Sequence, residues 1–161
     1  KAMNDCKEYF YVSVKDNIAE IEQTLRTLYE QDKKAFAFYD GGDKWTLLVL
    51  KDLDIIRKLL PDKSAATQGL DVTVLHTLVL EKLFGIDAEN MAKQINLTYT
   101  KYFDEAIDSV KSGKAQCAFI LNPTRVTEIR DVAAAGEKMP QKSTYFYPKL
   151  ITGLVMNDLT I

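Results

Sequence analysis

The residues best equipped for chemistry lie between Gly136 and Lys149, where the chain reads Gly-Glu-Lys-Met-Pro-Gln-Lys-Ser-Thr-Tyr-Phe-Tyr-Pro-Lys. Lys142 and Lys149 offer point charges, and Ser143 and Thr144 offer hydroxyl donors. Tyr145, Phe146 and Tyr147 can stack on a planar group or exclude water. Pro140 and Pro148 stiffen the two sides and lower the cost of ordering the loop. Such a set suits a small phosphorylated or carboxylated ligand, held by a few convergent polar groups. Glu137 is the carboxylate of this loop and the candidate general base or metal-side residue. The alternative is a loop whose aromatics cap a sheet edge and whose lysines are solvated.

A second constellation is Asn122-Pro123-Thr124-Arg125, directly after an apolar run at residues 116–121. Asn122 suits an N-cap and Pro123 the first helical turn. A strand leading into a helix start exposes backbone N–H groups that favour an anion. Thr124 adds a hydroxyl and Arg125 a charge. The plainer reading is that Asn122 only caps the helix. His76, the single histidine, has a free pKa suited to proton transfer near neutrality. It falls on the apolar side of a helical pattern, where a structural, hydrogen-bonded ring is the alternative. Asp71 is a further carboxylate, better suited to capping. Cys6 and Cys117 are too far apart for a metal-ligand spacing, and one histidine cannot complete a zinc site with them. No nucleophile elbow, phosphate-loop fingerprint or calcium-loop spacing occurs. The sequence thus assigns no metal and leaves any cofactor unknown.

The elements that must position these groups follow from periodicity. Residues 8–14 read as a strand. Asn17 and Glu20 have the spacing of a capping box, and Ile18, Ile21, Leu25 and Leu28 form one helical face. Ala35–Tyr39 and Trp45–Leu50 read as strands joined through Asp40-Gly41-Gly42-Asp43, a hairpin turn by its chemistry. Residues 52–60 form a short helix stopped by Pro61. Residues 62–69 are a small-residue connector and a candidate mobile loop. Residues 71–84 are apolar nearly all round, the mark of a buried helix. A short helix at 87–93, a short strand at 95–98, a helix at 104–111 and a strand at 116–121 follow. The pattern then predicts a helix from Asn122 to about Ala134 and a last strand at 150–156. The expected fold is α+β, a mixed central sheet of five or six strands flanked by helices.

The 161 residues, 47% hydrophobic, suffice for one domain with a proper core. With 27% charged residues and a net charge of -2, there is no basic excess to attract nucleic acid. No apolar run approaches a membrane span. Two distant cysteines fit a reducing, cytoplasmic setting. The start, Lys1-Ala2-Met3-Asn4-Asp5, reads as the cut end of a longer protein, so the missing amino-terminal portion is itself an expected partner.

Three stretches carry a resemblance. Leu-Asp-Val-Thr-Val-Leu-His at residues 70–76 resembles one motif of the bacterial and archaeal family catalogued as domain of unknown function 1015. Ala-Phe-Ile-Leu-Asn-Pro-Thr at 118–124 resembles a second, and residues 135–149 followed by Thr152-Gly153-Leu154 resemble its closing signature. The likeness covers residues 70–159; the first third follows only in pattern. It implies a carboxy-terminal portion of a longer protein. Some members are likened to ParB-type partitioning proteins, and some are encoded near serine-biosynthesis enzymes. Asp71, His76, Asn122, Glu137, Lys142, Ser143, Thr144, Tyr145 and Lys149 are the positions the resemblance marks, without roles.

Three readings of function follow. The leading one is a protein that binds a small anionic metabolite, as an enzyme or not. There, Lys142, Lys149 and the backbone after Asn122 hold the anion, Ser143 and Thr144 orient it, Tyr145 covers it, and His76 or Glu137 moves a proton. The others are a non-enzymatic module binding protein or DNA, and a structural half supporting a site in the missing portion.

Overall fold

A computed structural model describes residues 5–145. Four strands form its sheet: β1 (Phe10–Lys15), β2 (Ala35–Tyr39), β3 (Trp45–Leu50) and β4 (Ala118–Leu121). Their spatial order is β1-β3-β2-β4, and every pairing is antiparallel. The α+β class stands. The expected mixed sheet of five or six strands is corrected to four antiparallel strands among the described residues. The segment at 95–98 shows why. Gln94 takes a left-handed conformation at the end of the preceding helix, with φ 51. The chain leaves that helix in a bend, and Ile95 is 65% exposed rather than paired. The strand expected at 150–156 lies outside the described residues.

Alternation along the strands sorts two layers of core onto the two faces of the sheet. Phe10, Phe36, Leu48 and Leu50 look to one face, where Phe10 and Phe36 meet edge to face at 6.0 Å. Helix α2 (Asp54–Leu59) packs there through Ile56, as does the buried helix through Val74, Leu75, Leu78, Val79 and Leu80. Ala35, Ala37, Tyr39, Trp45 and Leu47 look the other way, against α1 (Ile18–Glu30) and the helix Phe103–Lys111. The small side chains at Ala35 and Ala37 let Ile21 and Leu25 of α1 approach the sheet. Truncating a fully buried side chain such as Phe36 to alanine costs about 3–5 kcal/mol.

Local chemistry sets the connections. Asn17 accepts the Glu20 N–H at 2.9 Å and caps α1. In the β2–β3 turn, Asp40 Oδ1 accepts the Gly42 N–H at 3.1 Å. Gly41 sits at φ +91, and a Cβ there would meet Val110 Cγ1 at 3.3 Å. Only glycine supplies that conformation without strain. The connector at 62–69 contains a capped helical turn, α3 (Ala65–Gln68), whose N-cap Ser64 accepts from the Thr67 N–H.

The buried helix, α4, begins at Asp71–Val74 and continues as a π-helix over Leu75–Leu83. At its end the Phe84 N–H reaches the Val79 carbonyl, five residues back. Then come α5 (Ala88–Lys93), α6 (Phe103–Lys111) and α7 (Val126–Ala134). The expected N-cap, Asn122, is replaced by Arg125, and the helix begins at Val126. The Asn122 amide is engaged elsewhere: it donates to the Leu25 carbonyl of α1 at 3.2 Å.

Candidate functional site

The loop after α7 is held at three points. Glu137 anchors its beginning. Its Oε1 accepts the Ser64 N–H at 3.0 Å, and its Oε2 accepts the Ser64 hydroxyl at 2.8 Å and the Thr67 hydroxyl. These donors, Thr67 foremost, hold the Glu137 carboxyl below its usual range. They stabilise the charged form. The expected base is therefore a hydrogen-bonded carboxylate that ties the 62–69 connector to the loop.

The middle is a tight turn. Lys142 adopts φ 59, which folds Ser143 back so that its N–H and hydroxyl both donate to the Pro140 carbonyl, at 3.3 and 2.6 Å. The Ser143 carbonyl in turn accepts the Thr124 hydroxyl at 2.8 Å. Thr124 and Ser143, two residues that the sequence singled out separately, thus meet across 19 positions. Lys142 is exposed, and among the described residues it forms no ion pair. Thr144 is half-buried beside it.

The third point is Tyr145, whose hydroxyl accepts from Lys101 Nζ at 2.7 Å. The same ammonium lies 3.9 Å from the centre of the Tyr145 ring and 4.7 Å from that of Tyr102. Tyr145 is 52% exposed. Lys149, Phe146 and Tyr147 lie outside the described residues.

His76 stands in the first turn of the π-helical stretch, half-buried, with the Tyr99 ring 6.4 Å away at 58°. Burial lowers its pKa, which favours the neutral ring at neutral pH. Among the described residues, the buried Tyr99 hydroxyl nearby has no hydrogen-bond partner, and neither has the buried Thr73 hydroxyl one turn before His76 on the same helix. π-Helical insertions occur frequently at functional sites. The segment from Tyr99 to Tyr102 links the two places: Tyr99 packs by His76 and Lys101 holds Tyr145. Among the described residues no hydrogen bond joins His76 to Glu137 or Lys142.

A charged centre that sequence reading missed lies where β2 begins. Lys34 Nζ, with a side chain 11% exposed, is 3.3 Å from Asp32 Oδ1 and 3.7 Å from both Asp71 Oδ1 and Glu128 Oε1. Arg125 joins it, 3.3 Å from Asp32 and 4.1 Å above the Tyr29 ring. Two cations face three carboxylates, so one negative charge is in excess. Asp71 is raised to about 6, first by burial and then by Glu128 and Asp32, against the opposing pull of Lys34 and Arg125. The start of α7 was expected to seat an external anion. Instead the Glu128 side chain accepts the Arg125 N–H at 2.8 Å. Lys34, Asp71 and Arg125–Glu128 come from separated segments, so no sequence spacing announces them. Asp71 and Arg125, each singled out for another reason, were the signals the sequence offered.

Two open clefts flank α6. One, of about 410 Å³, lies between α6 and the β2–β3 turn and is lined by Tyr39, Trp45, Phe103 and Asp104 among others. The other, of about 550 Å³, is lined by Tyr102, Glu105, Ser109 and Lys114 among others. Neither is lined by residues 136–145 or by His76. No helix among the described residues is long and apolar enough to cross a membrane. Comparison of the chain with protein-family models, curated proteins and solved structures gave no match.

Proposed function

We propose that this chain binds a small anionic metabolite, carrying a phosphate or carboxylate, on the surface of the loop at 136–145. The observation that carries the reading is the Thr124–Ser143 hydrogen bond of 2.8 Å. It fixes the tight turn beside the α7 entry and leaves the Lys142 ammonium exposed next to Ser143 and Thr144. An ordered turn with an exposed cation needs less reorganisation on binding than a flexible one. Lys142 supplies the charge and Thr144 the orienting hydroxyl, Ser143 holds the turn through the Pro140 carbonyl, and Lys149 extends the same chemistry along the chain. His76, kept neutral by burial, is the group for proton transfer if the ligand reacts. The resemblance to the domain of unknown function 1015 family supports the same loop as the place to look. Membership in it, a cytoplasmic setting and a link to amino-acid metabolism belong to the proposal.

The test is a thermal-shift screen with phosphorylated and carboxylated metabolites. A ligand that binds the native state raises apparent stability by mass action. The reading expects a stabilising ligand whose effect is lost in Lys142→Ala. Ligands that act equally on both proteins would overturn it.

A second reading has one specific observation in its favour. Both clefts lie along α6 and neither involves the loop. A half that completes its site with another part of a longer protein would look so. In that case ligands would shift the longer protein and not this chain. The DNA-binding reading has no comparable observation, because the charge balance is -2.

A further inference from the structure

The sheet ends on one side at β1, whose outer edge meets no other strand among the described residues. Which groups point outward follows from two backbone contacts. The Lys51 N–H donates to the Tyr9 carbonyl at 3.0 Å, and the Leu50 N–H donates to the Lys34 carbonyl at 2.9 Å. Antiparallel pairs alternate between hydrogen-bonded and non-bonded positions. With the register Phe10↔Leu50 and Tyr11↔Val49, odd-numbered residues of β1 therefore turn their polar groups to β3. Phe10, Val12 and Val14 turn theirs outward.

Among the described residues this edge carries none of the usual protection. Its six residues, Phe-Tyr-Val-Ser-Val-Lys, include no proline, and the register runs through without a bulge. The only charge is Lys15, at the end. Tyr11 is 66% exposed and Val14 59%. Natural edges of this length are generally covered, charged or bent away, because unpaired N–H and C=O groups are a template for another strand.

We propose that β1 pairs antiparallel with β1 of a second copy of this chain, about a two-fold axis at Val12. The free groups are self-complementary in that register. Val12 of one copy exchanges both hydrogen bonds with Val12 of the other, and Phe10 does so with Val14, so every outward N–H and C=O of the strand is satisfied. Side chains directly opposite lie on the same face, which sets exposed Val14 beside Phe10 of the second copy and Tyr11 across from Ser13. Within Phe10–Lys15 no like charges oppose each other, and Glu8 and Asp16, the next positions in this register, lie beyond the strand ends. The two sheets become one, in the order β4-β2-β3-β1-β1-β3-β2-β4.

The test is the oligomeric state of the 161-residue chain by light scattering across a wide concentration range, with two variants. Val12→Pro removes only an N–H that points away from β3, a position where edge proline is tolerated. Val14→Lys leaves every backbone group in place and adds a charge to the edge. The expected result is a dimer for the natural sequence and monomers with unchanged circular dichroism for both variants. Val14→Lys decides the matter if proline disturbs folding. A natural chain that stays monomeric, or a dimer that survives in a folded Val14→Lys protein, overturns the proposal.

Discussion

Glu137 and Ser64 are 73 positions apart, yet one carboxylate takes both the backbone N–H and the hydroxyl of that serine, at 3.0 and 2.8 Å. The contact joins the start of α3 to the loop after α7. It makes the connector at 62–69 and the loop at 136–145 a single unit.

Breaking this joint should loosen both partners. Glu137→Ala is expected to lower the melting temperature and to speed proteolysis within residues 62–69, whereas Glu137→Gln keeps part of the bonding and has the smaller effect. The pH dependence has a definite sign. A carboxyl held below its usual value in the fold contributes stability above its unfolded pKa. That contribution is lost as pH falls through the lowered folded value. Denaturation at neutral and acid pH should therefore show Glu137→Gln converging on the natural protein as pH drops.

Asp71 should behave in the opposite sense. It titrates near 6 in the fold and near about 3.9 in an unfolded chain. Between those values the folded state holds the extra proton, so this group's contribution falls as pH rises from about 4 to about 6. Asp71→Asn removes the excess negative charge around Lys34. Relative to the natural protein, the variant is expected to gain about 2 kcal/mol between pH 4 and pH 7. Urea denaturation of both proteins across that range checks it. Lys34→Met, by contrast, leaves three carboxylates without their central cation and should cost about 3 kcal/mol at pH 7.

His76 offers a spectroscopic check. Its ring should titrate below the ordinary value because burial disfavours the charged form. The stability linked to it is present above pH about 6.5 and declines as pH falls through the lowered value. Following the single histidine's Cε1–H signal by NMR gives the midpoint directly. A midpoint at or above the ordinary value would remove the argument for a neutral ring.

What the sequence made legible was local. The Asn17–Glu20 cap, the glycine turn between β2 and β3 and the apolar faces of α1 and α4 depend on neighbours along the chain. They appear in the structure where periodicity and turn chemistry put them. The errors come from contacts that span the chain and from one local backbone turn. Asn122 has the right residue type and place to cap a helix, but its amide reaches Leu25, 97 positions back, and Arg125 is the N-cap instead. The segment at 95–98 has strand composition, yet the left-handed Gln94 turns it away from the sheet. The functional groups divide in the same way. Thr124, Ser143 and Tyr145 were singled out by type, but what each one holds, including the Lys101 clamp on Tyr145, is set by folding. The Lys34 centre draws on three separate stretches, and no pattern within any one of them reveals it.

The central claim is that the ordered turn at Lys142 receives an anion. Calorimetric titration of the natural chain and of Lys142→Ala, using the metabolite that gives the largest thermal shift, tests it most directly. The account predicts saturable binding that weakens at least roughly tenfold without the Lys142 ammonium, as expected when a charge-assisted contact worth about 1.4 kcal/mol or more is lost. Equal affinity in the two proteins would contradict it.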